Sequence, residues 1–168
     1  MSPFAHQSRL LISGVLTELT AQLQSSMKKK TLYILIADDD ADDQEMLSEA
    51  FMRQKPGAII RTVMDGKELF DFLDACPPDE LPVLILLDFK MPLVTGPEVL
   101  QHLSSHPTYV SIPKLVWSSS TRTKDIEICR QMGADGYFKK PATSKEMDEF
   151  VNIIYEIFAA QLIQSKSA

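Results

Sequence analysis

Val83-Leu84-Ile85-Leu86-Leu87-Asp88-Phe89-Lys90-Met91-Pro92 sets five apolar residues directly before a carboxylate. The run is short and bracketed by Pro82 and Pro92, which suits a strand better than a helix. It also lacks the polar alternation of a half-exposed strand, so it reads as one buried on both faces, as in a parallel sheet. Asp88 then emerges at the C-terminal edge of that strand, where ligands and reactive groups collect in open α/β sheets. Ordinary turn chemistry, with Asp88 capping the next turn, accounts equally well for this stretch taken alone.

The flanking sequence repeats the pattern. Leu32 to Ala37 is an apolar strand that ends in Asp38-Asp39-Asp40. Asp42 to Phe51 follows as a helix with acidic residues in its first turn and Met46, Leu47, Ala50 and Phe51 as its apolar side. Pro56-Gly57 ends it, Ala58 to Met64 is a second strand, and Lys67 to Ala75 is a second helix carrying Leu69, Phe70, Phe72 and Leu73. Beyond the Asp88 strand, Gly96 helps to start a helix from about Pro97 to Leu103, with proline tolerated in its first turn. Lys114 to Trp117 is a fourth strand running into Ser118-Ser119-Ser120, and Thr123 to Met132 is a fourth helix ended by Gly133. Tyr137 to Lys139 is a fifth strand broken by Lys140-Pro141. A last helix extends from Ser144, read as its N-cap, to about Leu162, with Met147, Phe150, Val151, Ile154, Ile157 and Phe158 inward. Five strands alternating with five helices imply an α/β fold, a parallel sheet with helices on both faces joined by right-handed crossovers.

At 168 residues the chain has room for one such domain, expected over residues 30–163 with a tail at 164–168. Residues 1–29 stand apart as an N-terminal extension. Leu11, Ile12, Val15, Leu16, Leu19 and Leu23 fall on one helical face, which suits a docking helix; Met27 before Lys28-Lys29-Lys30 also resembles a true start, so residues 1–26 remain open as part of the native protein. The formal net charge of -6 and the lack of further basic clusters argue against nucleic acid as a partner. Cys76 and Cys129 lack metal-ligand spacing and read as free thiols in a cytoplasmic protein. No apolar run approaches the roughly 20 residues that span a bilayer.

Parallel strands bring their C-terminal ends to one edge. Asp38, Asp39 and Asp40 follow the first strand, Asp88 ends the third, Ser118 the fourth, and Lys140 the fifth. Carboxylates gathered in one cleft repel each other, and a hard divalent cation such as Mg²⁺ is an economical way to neutralise them.

With these residues in place, residues 30–162 resemble the receiver domain of two-component response regulators. The resemblance rests on the acidic cluster, on Asp88-Phe89-Lys90-Met91-Pro92 with Gly96 behind it, on Ser118, and on Gly136-Tyr137 with Lys140-Pro141. It implies a flavodoxin-like (βα)5 fold with strand order 2-1-3-4-5. It also implies that Asp88 accepts a phosphoryl group from a sensor histidine kinase or a phosphotransfer protein. Asp39 and Asp88 would ligate Mg²⁺ directly, Asp38 would act through a water, and the Lys90 backbone carbonyl would complete the set. Lys140, on a cis Lys140–Pro141 peptide, and Ser118 would contact the phosphoryl oxygens, although Lys140 could also be a plain surface lysine. Ser118 and Tyr137 would form the switch, with core filling as the competing role for Tyr137. The output surface would be the fourth helix, fifth strand and fifth helix, read by a downstream protein partner, with a homodimer left open.

Lys90 and Ser120 depart from the commonest residues at positions that tune the phosphoryl lifetime in the family. Lys90 is expected to pair with the acidic cluster, and Trp117 to be structural. The chain is expected to catalyse nothing beyond its own phosphorylation and dephosphorylation. A haloacid-dehalogenase-like phosphatase or phosphotransferase is the alternative from a different class, disfavoured because Asp88-Phe89-Lys90 lacks that class's second carboxylate. A phosphorelay intermediate is a third.

Overall fold

A computed structural model describes residues 31–164; the expectations for the N-terminal extension lie outside the described residues. In chain order the elements are β1 (Tyr33–Ala37), α1 (Ala41–Gln54), β2 (Ile59–Val63), α2 (Gly66–Ala75), β3 (Leu84–Asp88), α3 (Gly96–Ser105), β4 (Lys114–Ser118), α4 (Thr123–Gln131), β5 (Gly136–Lys139) and α5 (Ser144–Gln164), with one 3₁₀ turn at Pro78–Glu80. The five strands form a single parallel sheet in the order β2-β1-β3-β4-β5, the order that the resemblance implied.

Burial explains the strand compositions. All five residues of β3 and of β4 are buried, whereas the edge strand β2 alternates and leaves Ile59 and Arg61 exposed. On one face Ile34, Ile36, Leu84, Leu86, Leu115 and Trp117 pack against Leu47, Ala50 and Phe51 of α1 and Met147, Phe150, Val151, Ile154 and Phe158 of α5. On the other, Leu35, Leu87 and Val116 meet Leu69 and Leu73 of α2, Val99, Leu100 and Leu103 of α3, and Cys129 of α4. Burying side chains of this size contributes about 1.5–3 kcal/mol each, which offsets the entropy of ordering the chain.

Several local expectations change. Met46 is not on the buried side of α1; it faces solvent at 42 % exposure, and the inward position is taken by the polar Gln44. Ser144 is the first helical residue of α5, not its cap. The cap is Thr143, whose Oγ1 accepts from Glu146 N–H at 3.2 Å, while the Glu146 carboxylate accepts from the N–H of the preceding Ala142 at 2.7 Å, so two otherwise free amides are satisfied. The last helix also runs two residues past the expected Leu162, taking in Gln164.

Register aligns the strand ends. Ala37 pairs with Leu87, Asp88 with Trp117, and Ser118 with Lys139. Asp38, Asp88, Ser118 and Lys140 therefore leave the sheet side by side along its C-terminal edge, Ser118 one residue and Lys140 two residues beyond the level of Asp88.

Candidate functional site

The β1–α1 loop is built around Asp38, which is fully buried. Its Oδ1 accepts the Asp40 N–H at 2.9 Å, and Asp40 in turn caps α1 by accepting from Asp42 N–H at 2.9 Å and Asp43 N–H at 3.3 Å. Asp40 thus serves the helix start, leaving Asp38 and Asp39 as the aspartates of this run that reach the cleft. Gln44 fixes the loop from beneath: its Nε2 donates to the Asp38 carbonyl at 2.6 Å and to the Val63 carbonyl at 2.9 Å, tying α1 to the ends of β1 and β2.

Asp88 ends β3 and is 6 % exposed. Its Oδ2 accepts the Lys90 N–H at 3.0 Å. The chain then turns tightly enough that a Cβ on Gly96 would lie 2.5 Å from the Asp88 carbonyl oxygen, so only glycine lets α3 start this close to the loop that follows β3.

Lys140 converges on the same point. The Lys140–Pro141 peptide is trans, against the expectation of a cis bond, since no cis peptide occurs among the described residues. The trans backbone still directs the lysine inward, with Lys140 N–H donating to the Ser118 carbonyl at 2.9 Å. The Lys140 Nζ stands 2.7 Å from Asp38 Oδ2, 2.8 Å from Asp43 Oδ2 and 3.3 Å from Asp88 Oδ1, and its side chain is only 14 % exposed. The ammonium also lies 5.0 Å from the centre of the Trp117 ring.

The electrostatics follow from this crowding. Burial pushes the Asp38 carboxyl up to about 6, against the pull of Lys140 and with Asp88 adding to the rise. Burial also raises Asp88, with the charge of Asp39 contributing and Lys140 and the Lys90 N–H opposing. For Lys140, burial alone would lower the value, but the neighbouring carboxylates of Asp38, Asp43 and Asp88 outweigh it and hold the ammonium above its ordinary range. Asp38, Asp39 and Asp88 offer oxygens within 4.8 Å of one another. Asp38 Oδ2 is buried without a hydrogen bond of good geometry, its neighbour being the lysine ammonium. An all-oxygen donor set with excess negative charge and an incompletely satisfied buried carboxylate fits a hard divalent cation.

Ser118 is buried at the end of β4, and its Oγ accepts the Ser120 N–H at 3.2 Å; among the described residues no hydrogen bond joins it to Asp88. The loop that follows is latched at two points. The Tyr137 hydroxyl donates to the Ser120 carbonyl at 2.9 Å, and the Ser120 hydroxyl donates to the buried Asp125 at 2.6 Å. Arg122 closes the second latch with an ion pair to Asp125 at 2.9 Å. The Ser120 hydroxyl, followed by Arg122, holds the Asp125 carboxyl below its ordinary value despite burial, and the charge of Lys90 lowers it further.

That influence corrects the expectation for Lys90. Its side chain is exposed and forms no ion pair with the acidic cluster among the described residues, because Lys140 already occupies the space between the carboxylates. Three contributors escaped the sequence reading: Asp43, Gln44 and Asp125. Asp43 looked like an ordinary acidic residue of a first helical turn, Gln44 like a surface position, and Asp125 like a helix-start charge. A polar residue where the helical period calls for an apolar one was the available signal, and it applied to Gln44 alone.

The sequence matches the response regulator receiver domain over residues 34–152. The chain belongs to that family. An uncharacterised 14.6 kDa protein of Leptolyngbya boryana is 29% identical over 118 residues, covering 70% of this chain and 86% of its own. The phosphorylated cyanobacterial phytochrome response regulator RcpA superposes with a TM-score of 0.70 at 28% identity, covering 79% of this chain and 96% of its own. The Mn²⁺-bound form of response regulator Rcp1 gives 0.64 at 26% identity, over 73% and 90%. Some relatives are longer: this receiver spans 48% of the stress response regulator protein 1 of Meyerozyma guilliermondii. Among the described residues no helix of this receiver is long and apolar enough to cross a membrane.

Proposed function

We propose that the protein accepts a phosphoryl group on Asp88 from a histidine kinase or a histidine phosphotransfer protein, with Mg²⁺ bound beside it, and signals by binding a protein partner. The observation that carries this reading is the sharing of one partly buried lysine by Asp88 and Asp38 at the sheet edge, with Asp39 within metal-ligand reach. A carboxylate oxygen of Asp88 forms the O–P bond as the N–P bond of the phosphohistidine breaks; the imidazole leaves with the electron pair and takes up a proton from solvent. Such transfers need positioning and charge stabilisation more than covalent chemistry. Asp39, Asp88, the Lys90 carbonyl and, through water, Asp38 would hold the cation, which when bound spreads the charge of the transferring group. Metal binding by the named relative supports a divalent ion in this position.

Lys140 supplies a point charge to the phosphoryl oxygens, and Ser118 donates its hydroxyl to one of them. Ser118 Oγ only accepts from Ser120 N–H, so its hydroxyl proton is available for this, and drawing Ser118 toward the phosphoryl group would pull on the loop that Tyr137 and Asp125 hold. The resulting two-state loop couples the site to the face formed by α4, β5 and α5. Incubation with acetyl phosphate and Mg²⁺ is expected to give a stoichiometric, acid-stable acyl phosphate on the wild type and none on Asp88→Asn. Continued turnover of phosphate esters, or equal labelling of Asp88→Asn, would contradict the proposal.

A further inference from the structure

Lys140 is a long side chain with three ammonium donors, and the rate of any transfer that it assists depends on where those donors point. Of its three carboxylate partners, only Asp43 receives a hydrogen bond of good geometry, at 2.8 Å. Asp38 at 2.7 Å and Asp88 at 3.3 Å are ion pairs without that alignment. Asp43 also stands apart from the three carboxylates that can gather round a cation, which are Asp38, Asp39 and Asp88. A cation there would neutralise two of the three partners of Lys140 and leave Asp43 as its remaining anionic anchor.

We infer that Asp43, from the first turn of α1, is a positioning residue for phosphoryl transfer: it anchors the Lys140 ammonium so that its charge stays within reach of the Asp88 oxygen. The inference rests on the acceptor reading of Asp88 and deepens it. Asp43 neither touches the phosphoryl group nor exchanges a proton; it limits the rotamers of Lys140. Its own side chain is 32 % exposed, so it is reached by water and acts without the desolvation that Asp38 bears.

Two readouts test this in the full chain. Lys140 lies against Trp117, and Trp117 is the single tryptophan, so its emission reports the position of the ammonium. Without any phosphodonor, Asp43→Ala is expected to shift the emission toward that of Lys140→Ala. With acetyl phosphate and Mg²⁺, Asp43→Ala is expected to slow acyl-phosphate formation by about tenfold, less than the roughly hundredfold of a group displaced by a full ångström because Asp38 and Asp88 still hold Lys140. In the Lys140→Ala background the same substitution is expected to have no further effect, since the partner through which it acts is gone. A rate within twofold of wild type, or a tenfold loss that persists in the Lys140→Ala background, overturns the inference. Asp88→Asn is labelled in parallel: if it is phosphorylated as well as the wild type, the acceptor reading fails, while the Trp117 emission still decides whether Asp43 holds Lys140.

Discussion

Asp38→Asn is expected to make the metal-free protein more stable, although it removes a buried residue that contacts a lysine. The carboxyl rises from an ordinary 3.8 to about 6 because burial outweighs the attraction of Lys140. At about 1.4 kcal/mol for each pH unit, keeping Asp38 ionised near neutrality costs the fold at most about 3 kcal/mol. Asparagine removes that cost but brings its own. If its oxygen keeps the Asp40 N–H, its amide must face the Lys140 ammonium, donor against donor, which costs about 1–2 kcal/mol. The remainder, about 1–2 kcal/mol, corresponds to a rise of roughly 3–8 °C in Tm for a domain of this size.

The pH dependence has a definite sign. A carboxyl whose value is raised on folding binds its proton more tightly in the native state, so the wild type gains stability as pH falls through about 6 toward 3.8. The advantage of Asp38→Asn is therefore present at pH 7 and shrinks by pH 5. Added Mg²⁺ should raise the wild-type Tm and leave the variant much less affected, because ligand binding to the native state adds stability only where the ligands remain. Thermal unfolding by circular dichroism, in chelator at both pH values and then with Mg²⁺, checks each step. A variant that melts at or below the wild type at pH 7 in chelator would refute the reasoning, as would a gap that does not narrow at pH 5.

Gly96→Ala places a methyl group 2.5 Å from the Asp88 carbonyl oxygen, and backbone on both sides leaves little room to yield. A loss of about 2–3 kcal/mol in chemical denaturation is expected, together with slower phosphorylation. Tyr137→Phe removes one half-buried hydrogen bond to the Ser120 carbonyl, so it should cost only about 0.5–1.5 kcal/mol while increasing amide exchange in the Ser118–Arg122 loop. Unchanged exchange there would remove Tyr137 from the latch. Asp125→Ala frees both Ser120 and Arg122 and is expected to lower Tm by several degrees at pH 7. Because folding lowers the Asp125 carboxyl value, that difference should fade as acid protonates it below the ordinary carboxylate range, and thermal melts at pH 7 and pH 3 test this.

How much of the site was legible from sequence depends on the residue. Asp88 and Asp38 were visible because each directly follows an apolar run, Asp39 because it stands next to Asp38, and Lys140 because it precedes a proline at a strand end. Their partners were not. Asp43 and Lys140 are 97 residues apart, and nothing local in either distinguishes an ion pair from a solvated charge. Lys90, close to Asp88 in sequence, looked like the natural counter-charge, yet proximity along the chain did not bring its side chain into the cleft. The Ser144 cap failed for a local reason: Thr143 and Ser144 are both good capping residues, and it is the Thr143 hydroxyl that accepts the Glu146 N–H.

The sequence by itself determined the alternation of strands and helices, the parallel class and the edge at which function collects. Each follows from residue-level preferences: apolar runs without polar alternation, helical spacing, and breaks at glycine and proline. Only the tertiary structure decided how the charges are shared. Register set Asp38, Asp88, Ser118 and Lys140 side by side, and the packing of α1 against the sheet placed Asp43 and Gln44 beneath the cleft. Burial then gave those groups their electrostatic character, since the interaction of two charges depends on their separation and on the water excluded around them, and neither quantity exists until the chain has folded.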